Sequence, residues 1–150
     1  MAVGVTVRRG ELDEEAVACS VATARELAVA GLHPAAGGDG SMLCSGDMLL
    51  QALVACAGVT LRAVAISLGI QLAGGTVTAE GDLDFRGTLG VSKEAPVGFS
   101  SVRLAFELGS EATSEQVQTL IRLSERYSVV YQTLAHPPEL MMNAGLAPGS

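Results

Sequence analysis

Among the groups in this sequence able to do covalent chemistry, the thiols carry the most informative placement. Cysteines stand at 19, 44 and 56, an odd number without paired spacing. That pattern fits free thiols in a reducing compartment and neither a disulfide framework nor a zinc knuckle. Cys56 lies inside the apolar run LLQALVACAGVTLRAVA, residues 49–65. There it is either a small packing residue or a nucleophile, and a nucleophile must be a thiolate stabilised by a nearby cation or helix N-terminus. Cys56 sits about ten residues into the helix that this run forms, beyond the turn in which the helix dipole acts. Its activator therefore has to come from elsewhere in the fold. His33 and His136 each neighbour a proline in loop-like sequence, with no nucleophile signature beside them. The pairs Glu14-Glu15 and Asp82/Asp84 read as solvated, no metal-ligand spacing is present, and neither cofactor nor metal is expected. The stretch HPAAGGDGS is a loop but not a phosphate loop, because no Lys-Ser or Lys-Thr follows its glycines.

The elements that would position Cys56 follow from periodicity. Short alternating runs in the first third (VGVTVRRG, EEAVACSVATA, RELAVAG) predict an antiparallel meander. A long helix is expected from Ser45 to Gly69, with Ser45 as cap and Asp47 in the first turn where the dipole favours a carboxylate. Its body is apolar on nearly every face, so it belongs inside. GTVTAEGDLDFRG and SVRLAFEL read as strands, the second alternating Val102, Leu104, Phe106 and Leu108 against Arg103 and Glu107. Thr113-x-x-Gln116 announces a capping box. The helix after it places Val117, Leu120, Ile121, Ser124, Ser128, Tyr131 and Ala135 on one face. A hydroxyl on that inward stripe is unexpected, since without a partner it costs roughly 1–3 kcal/mol, so Ser128 should meet a hydrogen-bond partner or a cavity.

This order predicts a single α+β domain over residues 1–150: an antiparallel sheet, a long buried central helix and a C-terminal amphipathic helix. One small sheet and one further helix cannot cover a helix apolar on all sides, which points to a second copy of the chain, a homodimer. Hydrophobic residues make up 49% of the chain and aromatics only 3%, so the core must be built from Ala, Val and Leu. A net charge of −7, with no basic cluster beyond Arg8-Arg9, excludes nucleic acid and anionic membrane surfaces as partners. The run 48–72 has bilayer-spanning length, but Arg62 near its centre would cost roughly 2.5–3.5 kcal/mol on insertion scales. The opening residues lack a charged n-region followed by an apolar h-region, and a cytoplasmic location is expected.

Taken together, SGDMLLQALVACAGVTLRAVAISLGI, AEGDLDFRGTLG, APVGFSSVRLAFEL and LSERYSVVYQTL resemble the OsmC/Ohr family in order and spacing over about residues 40–135. The resemblance implies an intertwined α+β homodimer whose two central helices are enclosed by sheets, with active sites at the subunit interface. It also implies reduction of organic hydroperoxides through two cysteines. By position, Cys56 matches the peroxidatic cysteine, Asp47 the acidic residue at the helix start, and Ser128 the second cysteine. An arginine from the N-terminal region would stabilise the thiolate, with Arg25 the candidate alongside Arg8 and Arg9. Two departures stand out: CSGD replaces a family proline, and Ser128 cannot resolve a sulfenic acid as a disulfide. Cys44 cannot substitute within one chain, because a helix over 46–56 separates it from Cys56 by roughly 15–18 Å, against a Cα limit of about 7 Å. Cys19 qualifies only if its strand turns it toward the helix.

The function expected from this resemblance is a one-cysteine, thiol-dependent organic hydroperoxide reductase, served by an external thiol reductant and a small hydrophobic peroxide. The alternative is an OsmC-like protein that binds a small apolar molecule or serves a stress response without peroxidase activity, because Ser128 replaces the second cysteine. A dimeric scaffold is the weaker third reading.

Overall fold

The computed structural model describes the backbone of residues 3–12 and 19–21, and residues 33–38, 44–146 and 148–149 with their side chains. Four strands form one antiparallel sheet in the order β2-β1-β3-β4. β1 (Val3–Leu12) pairs β2 (Cys19–Val21) through Gly10 and Val21, and pairs β3 (Gly75–Asp84) from Val3 opposite Asp84 to Glu11 opposite Thr76. β4 (Ser101–Leu108) closes the other edge, with Gly75 opposite Leu108 and Asp82 opposite Ser101. The expected run RELAVAG lies outside the described residues.

Between β2 and β3 the chain forms α1 (Ser45–Ser67). Cys44 is its N-cap and makes no side-chain capping bond, so Ser45 is the first helical residue and not the cap. Asp47 lies in the first turn, as expected. The helix stops two residues before Gly69, which takes a left-handed φ of 69° as the residue after the cap. Gly69 N–H donates to Ile66 O (3.1 Å) and Ile70 N–H to Ala65 O (2.9 Å). This pair of bonds satisfies the last carbonyls at a position that only glycine occupies without strain.

One face of α1 carries the core: Leu50, Leu53, Val54, Leu61 and Ala65 are buried against Val77 and Ala79 of β3 and Leu120 of the helix after β4. By composition α1 could cross a bilayer, yet this face is packed within the protein. The other face is not covered. Leu49 and Val59 are each 37% exposed and Ile66 52%, with Ala52 and Ala63 exposed between them. Within one chain α1 is thus buried on a single side, and the face around Leu49, Val59 and Ile66 stays open.

The β3 strand is shorter than GTVTAEGDLDFRG suggests. It ends at Asp84, whose carboxylate accepts from Arg86 N (3.1 Å) and caps a single turn, α2 (Phe85–Thr88). In β4, Leu104, Phe106 and Leu108 turn half inward while Arg103, Ala105 and Glu107 face out, and Val102 remains 37% exposed. Phe99 lies over Gly81 of β3 and Gly46 of α1, where a Cβ on either glycine would meet its ring.

The capping box is present at α3 (Ser114–Tyr127): Thr113 N donates to Gln116 Oε1 (2.9 Å) and Gln116 N to Thr113 Oγ1 (3.2 Å). The single C-terminal helix expected from periodicity is corrected to two. Ser128 takes ψ 111°, ending α3 and starting α4 (Val129–Ala135). Its N–H still bonds Ser124 O (3.0 Å) and its carbonyl accepts from Gln132 N (2.9 Å), so one residue serves both helices. The side chain at 128 keeps its inward direction across the break, at 1% exposure.

Candidate active site around Cys56

Cys56 stands at the start of the fourth turn of α1, half-buried, at the boundary between the packed and uncovered faces. The break at Ser128 lies beside it. Ser128 Oγ donates to Cys56 Sγ at 3.3 Å, which answers the puzzle of an inward hydroxyl. The break also frees the N–H groups of Val129 and Val130, which begin α4 and have no acceptor within it. Both groups, and the Thr60 hydroxyl one turn further along α1, favour the anion of the sulfur.

These donors set the thiol's acidity. Burial pushes the Cys56 pKa up, but the hydrogen bonds from Ser128, Val130 N–H, Thr60 and Val129 N–H outweigh it and leave the thiol below its ordinary value. Donors aimed at a sulfur stabilise the anion more than the neutral thiol. Ser128, Val129 and Val130 come from the α3–α4 break and Thr60 from α1 itself. Among the described residues the activator is a set of neutral donors.

Asp47 lies nine residues before Cys56, about 13 Å away along the axis at 1.5 Å per residue. The structure therefore does not bring it to the sulfur within one chain. Cys44, the N-cap, is about 18 Å away by the same measure and, like Cys56, is a free thiol. Arg25 lies outside the described residues. Arg8 and Arg9 fall on β1, opposite Ala79 and Thr78, but the direction of their side chains, like that of Cys19, lies outside the described residues too. His33 accepts from Ala35 N (3.1 Å) and stacks on Phe85 at 4.8 Å, while His136 caps the end of α4.

Sequence reasoning missed Thr60 and the two backbone donors. Thr60 follows Cys56 by one helical turn, a spacing at which side chains on a helix meet. The backbone donors had a fainter signal, the two β-branched residues after Ser128, which favour a break over an unbroken helix.

A family model described as OsmC-like protein matches residues 38–143. The chain belongs to the OsmC-like family. Its fold is similar to that of a solved OsmC-like hydroperoxide resistance protein from Jannaschia sp. CCS1, with a TM-score of 0.70 at 16% identity, covering 99% of this chain and 97% of that one. No curated protein matches the chain significantly.

Proposed function

We propose that this chain is a one-cysteine, thiol-dependent organic hydroperoxide reductase acting through Cys56. The observation that carries the reading is the 3.3 Å hydrogen bond from Ser128 Oγ to the half-buried Cys56 sulfur. The Cys56 thiolate attacks the terminal oxygen of R–O–O–H, forming an S–O bond as the O–O bond breaks. The products are Cys56 sulfenic acid and an alkoxide that takes up a proton to become the alcohol. An external dithiol then displaces the hydroxyl as water, giving a mixed disulfide, and its second thiol releases Cys56 as the reduced dithiol becomes a disulfide. Ser128 holds the thiolate but offers no sulfur, which is why the reductant must come from outside.

The site belongs to a soluble, cytoplasmic homodimer in this reading. Leu49, Ala52, Val59, Ala63 and Ile66 are exposed at alternating spacings of three and four residues, with Cys56 in the same row. That is the seam two helices use to pack against each other, and an uncovered apolar seam is what a second copy would bury. The thiol then borders the subunit interface.

The test is turnover of an organic hydroperoxide with an external dithiol, comparing the wild type with Cys56→Ser. Activity in the wild type alone supports the proposal. Equal turnover in both removes it and favours the second reading, a small-molecule-binding protein without peroxidase activity, which the serine at position 128 motivates.

A further inference from the structure

Besides its thiols the chain carries thioethers, which peroxides also oxidise. Two of them lie on the segment that follows α4. Pro137 and Pro138 come directly after that helix. Neither has an N–H to continue it, and each holds the residue before it out of the helical region. His136 takes φ −130° and ψ 76°, and residues 137–146 form neither helix nor strand. The segment hangs from the far end of a helix that begins just after Ser128, the residue bonded to Cys56.

The two thioethers stand nearly clear of the fold. Met141 is 85% and Met142 97% exposed, between the equally exposed Leu140 and Leu146. The other described methionine, Met48, is half-buried on α1. A thioether sulfur attacks the terminal oxygen along the O–O axis, so the peroxide needs a clear approach, which the tail methionines offer and Met48 does not. The reaction needs no ionisation of the sulfur, so no neighbouring donor or cation has to prepare it. Glu139 is the only charged residue over 137–146, and the flanking leucines present apolar surface to a neutral organic hydroperoxide.

We infer that Met141 and Met142 are a second peroxide-reactive site, consumed once per thioether and independent of Cys56. The sulfur lone pair of each attacks the terminal oxygen of R–O–O–H, and an S–O bond forms as the O–O bond breaks. The proton on that oxygen passes through solvent to the departing alkoxide, leaving methionine sulfoxide and an alcohol. Sulfur is oxidised and the peroxide reduced by the same electron pair. The site does not rest on the function proposed above, since it uses neither the Cys56 thiolate nor its donors.

The experiment exposes full-length Cys56→Ser, with the wild type in parallel, to excess cumene hydroperoxide and locates added oxygen over time by peptide mass spectrometry. Met141 and Met142 should each gain one oxygen atom well before Met48 does, at the same rate in both proteins and at the same rate in mildly acidic buffer, where thiols are protonated. Oxidation of Met48 as early as the tail, an unmodified tail in the folded protein, or tail oxidation that disappears with Cys56 would overturn the inference. The double variant Met141→Leu/Met142→Leu should lose the early oxygen uptake and still form a sulfenic acid at Cys56; uptake persisting at the wild-type rate also overturns it. An inert Cys56 beside an oxidised tail removes the peroxidase reading and supports this one, so the two fail separately.

Discussion

At the scale of single residues, the account turns on the 3.3 Å bond from Ser128 to Cys56. Ser128→Ala removes a donor to the thiolate, so the Cys56 pKa should rise toward the ordinary thiol value and alkylation near neutral pH should slow. A pH series of alkylation rates on the two proteins checks this. The linked effect on stability has a definite sign. A depressed folded pKa means that ionised Cys56 stabilises the fold above the ordinary thiol pKa, and this contribution is lost as pH falls through the folded value. The alkaline gain should therefore shrink in Ser128→Ala. Ser128→Cys places a second sulfur where the hydroxyl is, and one equivalent of organic hydroperoxide should convert it to an intrachain disulfide, visible as loss of both free thiols at 56 and 128. Persistence of both thiols would show that the position is not in resolving reach. Cys56 and Ser128 were legible as a pair only through the resemblance to the OsmC/Ohr family, while the apolar helix and the inward stripe placed each of them singly. Thr60 and the N–H groups of Val129 and Val130 were not, because backbone donors have no side-chain signature and declare themselves only where a helix breaks.

At the scale of elements, local rules placed most boundaries and failed where a side chain outvoted periodicity. Thr113 and Gln116 were read correctly because both halves of a capping box lie within four residues of each other. Thr113→Ala should cost about 1 kcal/mol, measured by denaturant unfolding. Phe85 to Gly87, just after Asp84, were read as strand and Ser128 as helix interior. In each case the backbone turned for a polar contact, Asp84 with Arg86 and Ser128 with Cys56, that no window of hydrophobicity contains. The β3–β4 pairing has an electrostatic component as well. Arg103 Nη1 lies 2.7 Å from Asp82 Oδ2, and the Arg103 guanidinium, with the Ser101 hydroxyl, holds Asp82 down to about 2. Its contribution is present above the ordinary carboxylate pKa of about 4 and is lost as pH falls through about 2. Arg103→Gln should return the Asp82 titration toward the ordinary range by carboxyl NMR and flatten the acid limb of the stability profile, modestly and less at high salt, since the pair is exposed.

At the scale of the whole molecule, the sequence carried the α+β class and the central helix, because strand alternation and a 23-residue apolar helix are strong signals. Apolarity alone told that one copy leaves part of that helix uncovered but not which face, and the structure places the open face along Leu49, Val59 and Ile66. In the proposed homodimer, the uncovered row from Leu49 to Ile66 is the face that a second copy covers. Wild-type protein should therefore run as a dimer by light scattering, and Val59→Glu as a folded monomer, because Val59 is already 37% exposed in one chain. A monomeric wild type would count against the interface. All of this serves one chemical claim, that Cys56 takes an oxygen atom from a peroxide and keeps it as a sulfenic acid. The most direct measurement is mass spectrometry of the protein after one equivalent of organic hydroperoxide in the presence of dimedone. The account predicts a dimedone adduct on Cys56 and none on Cys44. An unmodified Cys56, or an adduct confined to Cys44, would contradict it.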